Sequence, residues 1–186
     1  MKDFFYSLFP PGPLLSATLV GYSKAWLLQQ KLRGYPHLHS IFLKMVGYPL
    51  DLNHPKTHNH FLNWIKFHRK SPLVAVTSDK VLVRDYIKKI LGEDEANNIL
   101  IPLYFVSKTG LDLPFYLWQK EVFIKANHYS GGNILYHPGM DTDLIKKKLR
   151  SYLSEPFGYY YHEWAYSQIP RRIICEEVLR TKDGNI

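Results

Sequence analysis

The sequence predicts an α+β domain, and three observations lead there. Residues 79–92 and 141–153 carry apolar side chains at helical spacing behind polar caps. Four shorter runs, 99–106, 121–127, 134–136 and 171–179, are rich in β-branched and aromatic residues. Two of those runs, 121–127 and 134–136, are joined through Tyr129-Ser130-Gly131-Gly132-Asn133, which reads as a hairpin with a flexible tip.

Bulk properties narrow the function classes. The chain has 186 residues, 46% of them hydrophobic and 15% aromatic, which excludes a disordered segment. Its formal net charge is +8, so acidic partners are favoured: nucleotides, polyanionic glycans, nucleic acid or an anionic membrane face. Cys175 is the single cysteine, so no internal disulfide can form. It sits in the apolar run Ile173-Ile174-Cys175, which reads as core rather than as a reactive thiol.

Along the chain, Phe4 to Phe9 is aromatic and meets Pro10, Pro11 and Pro13. Residues 14–32 read as a helix packed on the domain, with peripheral membrane contact as an alternative. The apolar run 14–28 carries Lys24 and is shorter than the ~20 residues of a membrane span. Asp3 and the prolines also spoil a signal-peptide pattern, so the expected compartment is the cytoplasm. Gly47 to Leu52 is turn-rich, and Asn53 or Thr57 caps a helix whose apolar face is Phe61, Trp64, Ile65 and His68, closed by Pro72. His54, His58 and His60 lack the companions of a metal set and read as surface histidines.

Asp79 is the expected cap of the next helix, with Leu82, Val83, Tyr86, Ile87, Ile90 and Leu91 on one face and Gly92 at its end. Pro102 within 99–106 points to an edge strand or a strand start. Lys108-Thr109-Gly110 turns the chain, and residues 111–119 are ambiguous. Asp141 or Thr142 starts a helix with Leu144, Ile145, Leu149, Tyr152 and Leu153 inward and Lys146-Lys147-Lys148 outward. Tyr159-Tyr160-Tyr161 with Trp164 and Tyr166 forms an aromatic patch, read either as core or as a platform for a sugar or base.

The hairpin carries the chemistry. On a strand over 122–127, alternate side chains face opposite ways, so Val122, Ile124 and Ala126 share one face and Phe123, Lys125 and Asn127 the other. Gly131 and Gly132 let backbone N–H groups approach an anion, and Ser130 adds a hydroxyl. Lys125 stands just before that loop and can neutralise the same phosphate. The competing reading is a plain glycine turn beside a snorkelling lysine. The Walker and dinucleotide glycine patterns are both absent, and the loop follows the lysine strand rather than preceding it, unlike a kinase.

Taken together, Gly47-Tyr48-Pro49-Leu50-Asp51-Leu52, Asn53-His54-Pro55-Lys56-Thr57, Ser78-Asp79-Lys80, Val83-Arg84-Asp85-Tyr86-Ile87, Ile101-Pro102-Leu103, Phe123-Ile124-Lys125-Ala126-Asn127-His128, Ser130-Gly131-Gly132-Asn133, Glu163-Trp164 and Arg172-Ile173-Ile174-Cys175-Glu176-Glu177 resemble the TupA-like ATP-grasp family of surface-polysaccharide biosynthesis. The resemblance spans residues 42–179. It implies two α+β lobes clamping Mg-ATP, activation of a carboxylate as an acylphosphate and attack by an amine. It further implies that Lys125 contacts the nucleotide phosphates and that Ser130-Gly131-Gly132 forms a mobile phosphate loop. Glu176 and Glu177 would lie at the adenine and ribose, and Lys80 would reach the nucleotide from the other side. Strand periodicity sends Glu176 and Glu177 to opposite faces.

This chain departs from the family pattern in three places. Tyr129 stands where the family has glycine, and Thr57-His58-Asn59-His60-Phe61 lacks a family carboxylate and cation. The Mg-binding acids of ATP-grasp enzymes also lie beyond Glu177, where Asp183 is the only acid here. The expected organisation is therefore a helical segment at 1–40, a partial ATP-grasp-like domain at 41–180 with its N-terminal part and small nucleotide-clamping lobe, and a truncated tail at 181–186, with the second lobe largely missing. The expected activity is weak or absent ligase chemistry on an acidic glycan or sugar acid, with self-association through uncovered apolar surface. The alternative is a non-catalytic basic and aromatic glycan-binding module, or an accessory protein of a glycosyltransferase pathway. No nucleic-acid motif is present, so no specific nucleic-acid partner is expected.

Overall fold

The computed structural model describes residues 2–183. Residues 184–186 of the expected tail lie outside the described residues. Helices fill the first half: α1 (Lys2–Leu8), α2 (Pro13–Leu32), α3 (Pro36–Val46), α4 (His58–His68), α5 (Pro72–Ser78), α6 (Leu82–Leu91) and α7 (Glu93–Ile99). Strand β1 (Leu103–Ser107) follows, then a 3-10 turn at Phe115–Leu117, the hairpin of β2 (Val122–Ala126) and β3 (Asn133–Tyr136), α8 (Thr142–Ser154), α9 (Trp164–Ser167) and β4 (Ile173–Glu176). This is an α+β architecture.

Local chemistry accounts for the helix ends. Thr57 Oγ1 accepts from His60 N at 3.2 Å, so Thr57 and not Asn53 caps α4. Pro72 does more than close that helix: it opens α5, where Ser71 caps through Leu73 N. Asp141 caps α8 through the N–H groups of Asp143 and Leu144. Gly47 ends α3 at φ 86°, a left-handed position that suits glycine. Helix α3 runs across residues 40 and 41. Asp79 is not the N-cap of α6, a position held by Val81; it is fully buried just before the helix, and its Oδ1 accepts from Val81 N at 2.8 Å.

The four strands form one antiparallel sheet in the order β1-β4-β2-β3. Pro102 immediately precedes β1, which lies at the edge of the sheet, in keeping with the edge or strand start expected from that proline. One sheet face presents Val122, Ile124, Ala126, Ile173 and Cys175, all fully buried, to Ile145 and Leu149 of α8. Burial drives the Cys175 thiol strongly upward, so it is a core residue. Leu144, expected inward, is half-exposed; the inward stripe of α8 is narrower and centres on Ile145 and Leu149. Helix α2 packs on α8, tied by Arg171 Nη1 to Ser16 Oγ at 2.7 Å and Leu153 O at 2.9 Å. A second small core joins Leu38, Phe42 and Leu50.

His60 is not a surface histidine. It is buried, with Nε2 2.9 Å from Pro49 O while Lys56 N donates to Nδ1 at 3.4 Å. No helix among the described residues is long and apolar enough to cross a membrane.

Candidate functional site

The sheet face away from α8 carries Phe123 and Lys125 from β2 and Ile174 and Glu176 from β4. Phe123 pairs across with Glu176, and Lys125 with Ile174, so Lys125 and Glu176 meet on the diagonal. Lys125 Nζ lies 2.5 Å from Glu176 Oε2, and Arg84 Nη1 of α6 lies 3.2 Å from Oε1. The Glu176 side chain is 6% exposed and that of Lys125 is 19% exposed. The carboxylate is therefore sealed between two cations, while the ammonium keeps a path to solvent. Arg84 Nη2 also donates to Ile101 O, which fixes the guanidinium.

Lys80 enters from the segment before α6. Its Nζ donates to Ala126 O at 3.2 Å, Asn127 O at 3.1 Å and Tyr129 O at 3.3 Å. It thus binds the backbone where β2 leaves the sheet for the glycine loop. Burial, and secondly the charge of Lys125, lowers the Lys80 ammonium below its ordinary value. Asn127 anchors the same turn. It is fully buried; Nδ2 donates to Asp79 Oδ1 at 2.9 Å and Pro170 O at 2.8 Å, and Oδ1 accepts from Arg172 N at 2.7 Å.

The loop itself has Ser130 and Gly131 exposed and Gly132 buried. Gly131 takes φ +89°, the left-handed conformation that glycine allows. Gly132 is small for a different reason: a Cβ there would meet the Tyr129 ring at 2.3 Å. Tyr129 lies over Gly132 and packs against Tyr152 and Phe157, at ring separations of 5.7 and 5.2 Å. Tyr129 is thus accommodated by the glycine at position 132.

Of the residues singled out from the sequence, the fold brings Lys80, Lys125 and Glu176 to one place, with Ser130, Gly131 and Gly132 directly following. Glu177 is set apart. It points the other way, accepting from Tyr104 Oη at 2.9 Å and Lys120 Nζ at 3.3 Å. Sequence reasoning missed Arg84 and Asn127 as parts of the cluster. For Asn127 the available signal was a polar residue closing an alternating strand, and for Arg84 there was none.

The residues fit a polyanionic phosphate group in sign: Lys80, Arg84 and Lys125 outnumber Asp79 and Glu176. They do not fit a resident divalent metal. No group of three His, Cys, Asp or Glu side chains among the described residues is placed to hold an ion. Asp79 Oδ2 is buried without a hydrogen-bond partner among those residues, but it stands in no such group.

Residues 60–185 match the family model described as TupA-like ATPgrasp, which is more than half of the chain. The chain belongs to the TupA-like ATP-grasp family. The matched range holds every residue of the cluster and the whole sheet. It leaves out Gly47 to Thr57, part of the earlier resemblance, and all of α1 to α3. No curated protein and no solved structure gave a match. Membership in the TupA-like family supports a general ATP-grasp type of function, and the α+β sheet agrees with it.

Proposed function

We propose that this chain binds ATP on the sheet face that carries Lys125, as the nucleotide-binding part of an ATP-grasp carboxylate–amine ligase of surface-polysaccharide biosynthesis. The observation that carries this reading is the Lys125–Glu176 ion pair at the mouth of the 130–132 loop. A nucleotide would supply a γ-phosphoryl group: a carboxylate oxygen attacks phosphorus as ADP leaves, and an amine then takes the acyl carbon and releases phosphate. The chain's own residues bind and orient. Lys125 turns its ammonium from Glu176 towards the phosphates, because a multiply charged phosphate outcompetes one carboxylate. Arg84 keeps the vacated carboxylate neutralised, so the change leaves no unpaired buried charge. The N–H groups of Ser130 and Gly131 add donors at the loop tip. Lys80 acts from behind the loop, holding the carbonyls of 126, 127 and 129 so that those N–H groups face outward. Glu176 is the resting partner of Lys125, whereas Glu177 faces away towards Tyr104 and Lys120 and is given no role at the nucleotide. No step is assigned to magnesium, because the described residues offer no ligand set for it.

Calorimetric titration of Mg-ATP tests the reading. The wild-type chain binds, Lys125→Ala does not, and Lys125→Arg retains part of the affinity. No binding by the wild type, or equal binding by Lys125→Ala with an unchanged circular-dichroism melt, would overturn it.

A further inference from the structure

A cavity of about 460 Å³ lies between α2, α4 and the 158–167 segment, away from the Lys125 cluster. Its walls alternate two chemistries. Lys24, Lys31, Lys66 and Lys70 line it, against the single carboxylate of Glu163. Lys66 Nζ is 3.9 Å from Glu163 Oε1 and donates to Tyr161 O at 3.4 Å. Lys24, Lys31 and Lys70 form no ion pair with any described residue. Between the lysines stand the rings of Tyr35, Phe67, Tyr159 and Trp164.

His162 lies at this cavity and is 6% exposed, yet neither ring nitrogen has a hydrogen-bond partner among the described residues. A buried imidazole with both nitrogens idle costs free energy, so it calls for a partner outside the chain. Its backbone is also held at φ 58°, and the ring beside it at 5.2 Å, Tyr35, is held at φ 60°. These are the only non-glycine residues at positive φ among those described. A fold keeps such strain where the surroundings demand it, and such positions cluster at ligand sites.

We propose that this cavity binds an anionic saccharide, a sugar ring carrying a carboxylate or a phosphate. Aromatic walls suit the apolar C–H face of a sugar, idle imidazole nitrogens suit its hydroxyls, and the unpaired lysines suit its charge. A nucleic acid strand would need a long basic track, whereas the four lysines here stand around one half-open cavity. Helix α9, on the cavity wall, packs on α5, whose end leads to Lys80. The cavity and the nucleotide face thus share one body. The binding stands by itself; its role as the subsite for the carboxylate substrate rests on the ligase reading above. Its α2 wall lies outside the matched residues 60–185.

The test uses the full chain labelled at histidine nitrogen, titrated with trigalacturonate, glucose 6-phosphate, uncharged maltotriose and a short single-stranded oligonucleotide. The expected result is that a charged sugar shifts the His162 ring nitrogens and binds at least about tenfold more tightly than maltotriose. The double variant Lys31→Ala/Lys70→Ala weakens that binding by about tenfold and leaves Mg-ATP affinity unchanged. Binding of trigalacturonate supports the carboxylate-substrate role. Binding of glucose 6-phosphate alone supports the cavity and removes that role. Equal binding of maltotriose, an unaffected double variant, or the oligonucleotide as the tightest ligand would overturn the proposal. Loss of Mg-ATP binding by the wild type with sugar binding intact would refute the ligase reading and spare the cavity.

Discussion

Replacing Lys125 by methionine removes one of the two cations that hold Glu176. Removing one partner of a buried pair costs about 3–5 kcal/mol when nothing else compensates. Here Arg84 remains at 3.2 Å from the other carboxylate oxygen, and Lys125 is itself partly solvated, so about half of that is expected, roughly 2 kcal/mol. With a urea slope of about 1–3 kcal/mol/M, the unfolding midpoint should fall by roughly 1 M. Adding Glu176→Gln to Lys125→Met removes the stranded charge and keeps an acceptor for Arg84, so the double variant should recover about 1 kcal/mol. Urea unfolding followed by circular dichroism at 25 °C reads all four corners of this cycle. A cost below about 0.5 kcal/mol for Lys125→Met, with no coupling to Glu176, would refute the view that the pair is a buried ion pair.

The loop glycines make a matched contrast. Gly132→Ala should cost about 1–3 kcal/mol through collision with the Tyr129 ring and be partly rescued by Tyr129→Ala, while Gly131→Ala should cost about 1 kcal/mol through backbone strain alone; thermal melts of the three variants distinguish them. Asn127→Ala should cost about 2–4 kcal/mol, since it strands the partners of a fully buried amide, including Asp79 and Arg172 N, and urea unfolding reads it. Burial lowers both His128 and His162 from 6.5 to about 4, aided by Arg171 at His128 and by Lys66 at His162. Their folded values lie below the unfolded ones, so the stability from keeping each ring neutral is present above pH 6.5 and lost as pH falls towards 4. Up to about 3 kcal/mol is expected for each, and unfolding free energies between pH 7 and pH 4 should show the loss, with a shallower fall in His128→Gln. A flat profile would contradict the burial of both rings.

Long-patterned elements were legible in the sequence. The helices now seen at Pro13–Leu32, Leu82–Leu91 and Thr142–Ser154 and the β2–β3 hairpin announce themselves by periodicity, caps and paired glycines. The short helices α1, α3 and α7 did not. Each lies next to proline or glycine punctuation, and Pro36, which looks like an interruption, is the first residue of α3. At the site, the alternation of β2 correctly placed Lys125 opposite the core, and the opposite facings of Glu176 and Glu177 were readable from period two. The role of Arg84 was hidden because it depends on which helix lies over the sheet, a tertiary fact with no local signal, and Asn127 showed only as a polar residue closing an alternating strand. The buried state of His60 was hidden likewise: Pro49 O, its partner, comes from a turn with no periodic pattern. Tyr129 stood out beside the loop, but its packing over Gly132 needed the ring's position.

The most direct test of the nucleotide assignment is an amide and lysine-ammonium NMR map of the chain with and without Mg-ATP. The account predicts shifts at Ser130, Gly131 and the Lys125 ammonium, with Glu177 and His162 changing little. Shifts confined to the His162 cavity, or none at saturating nucleotide, would contradict it.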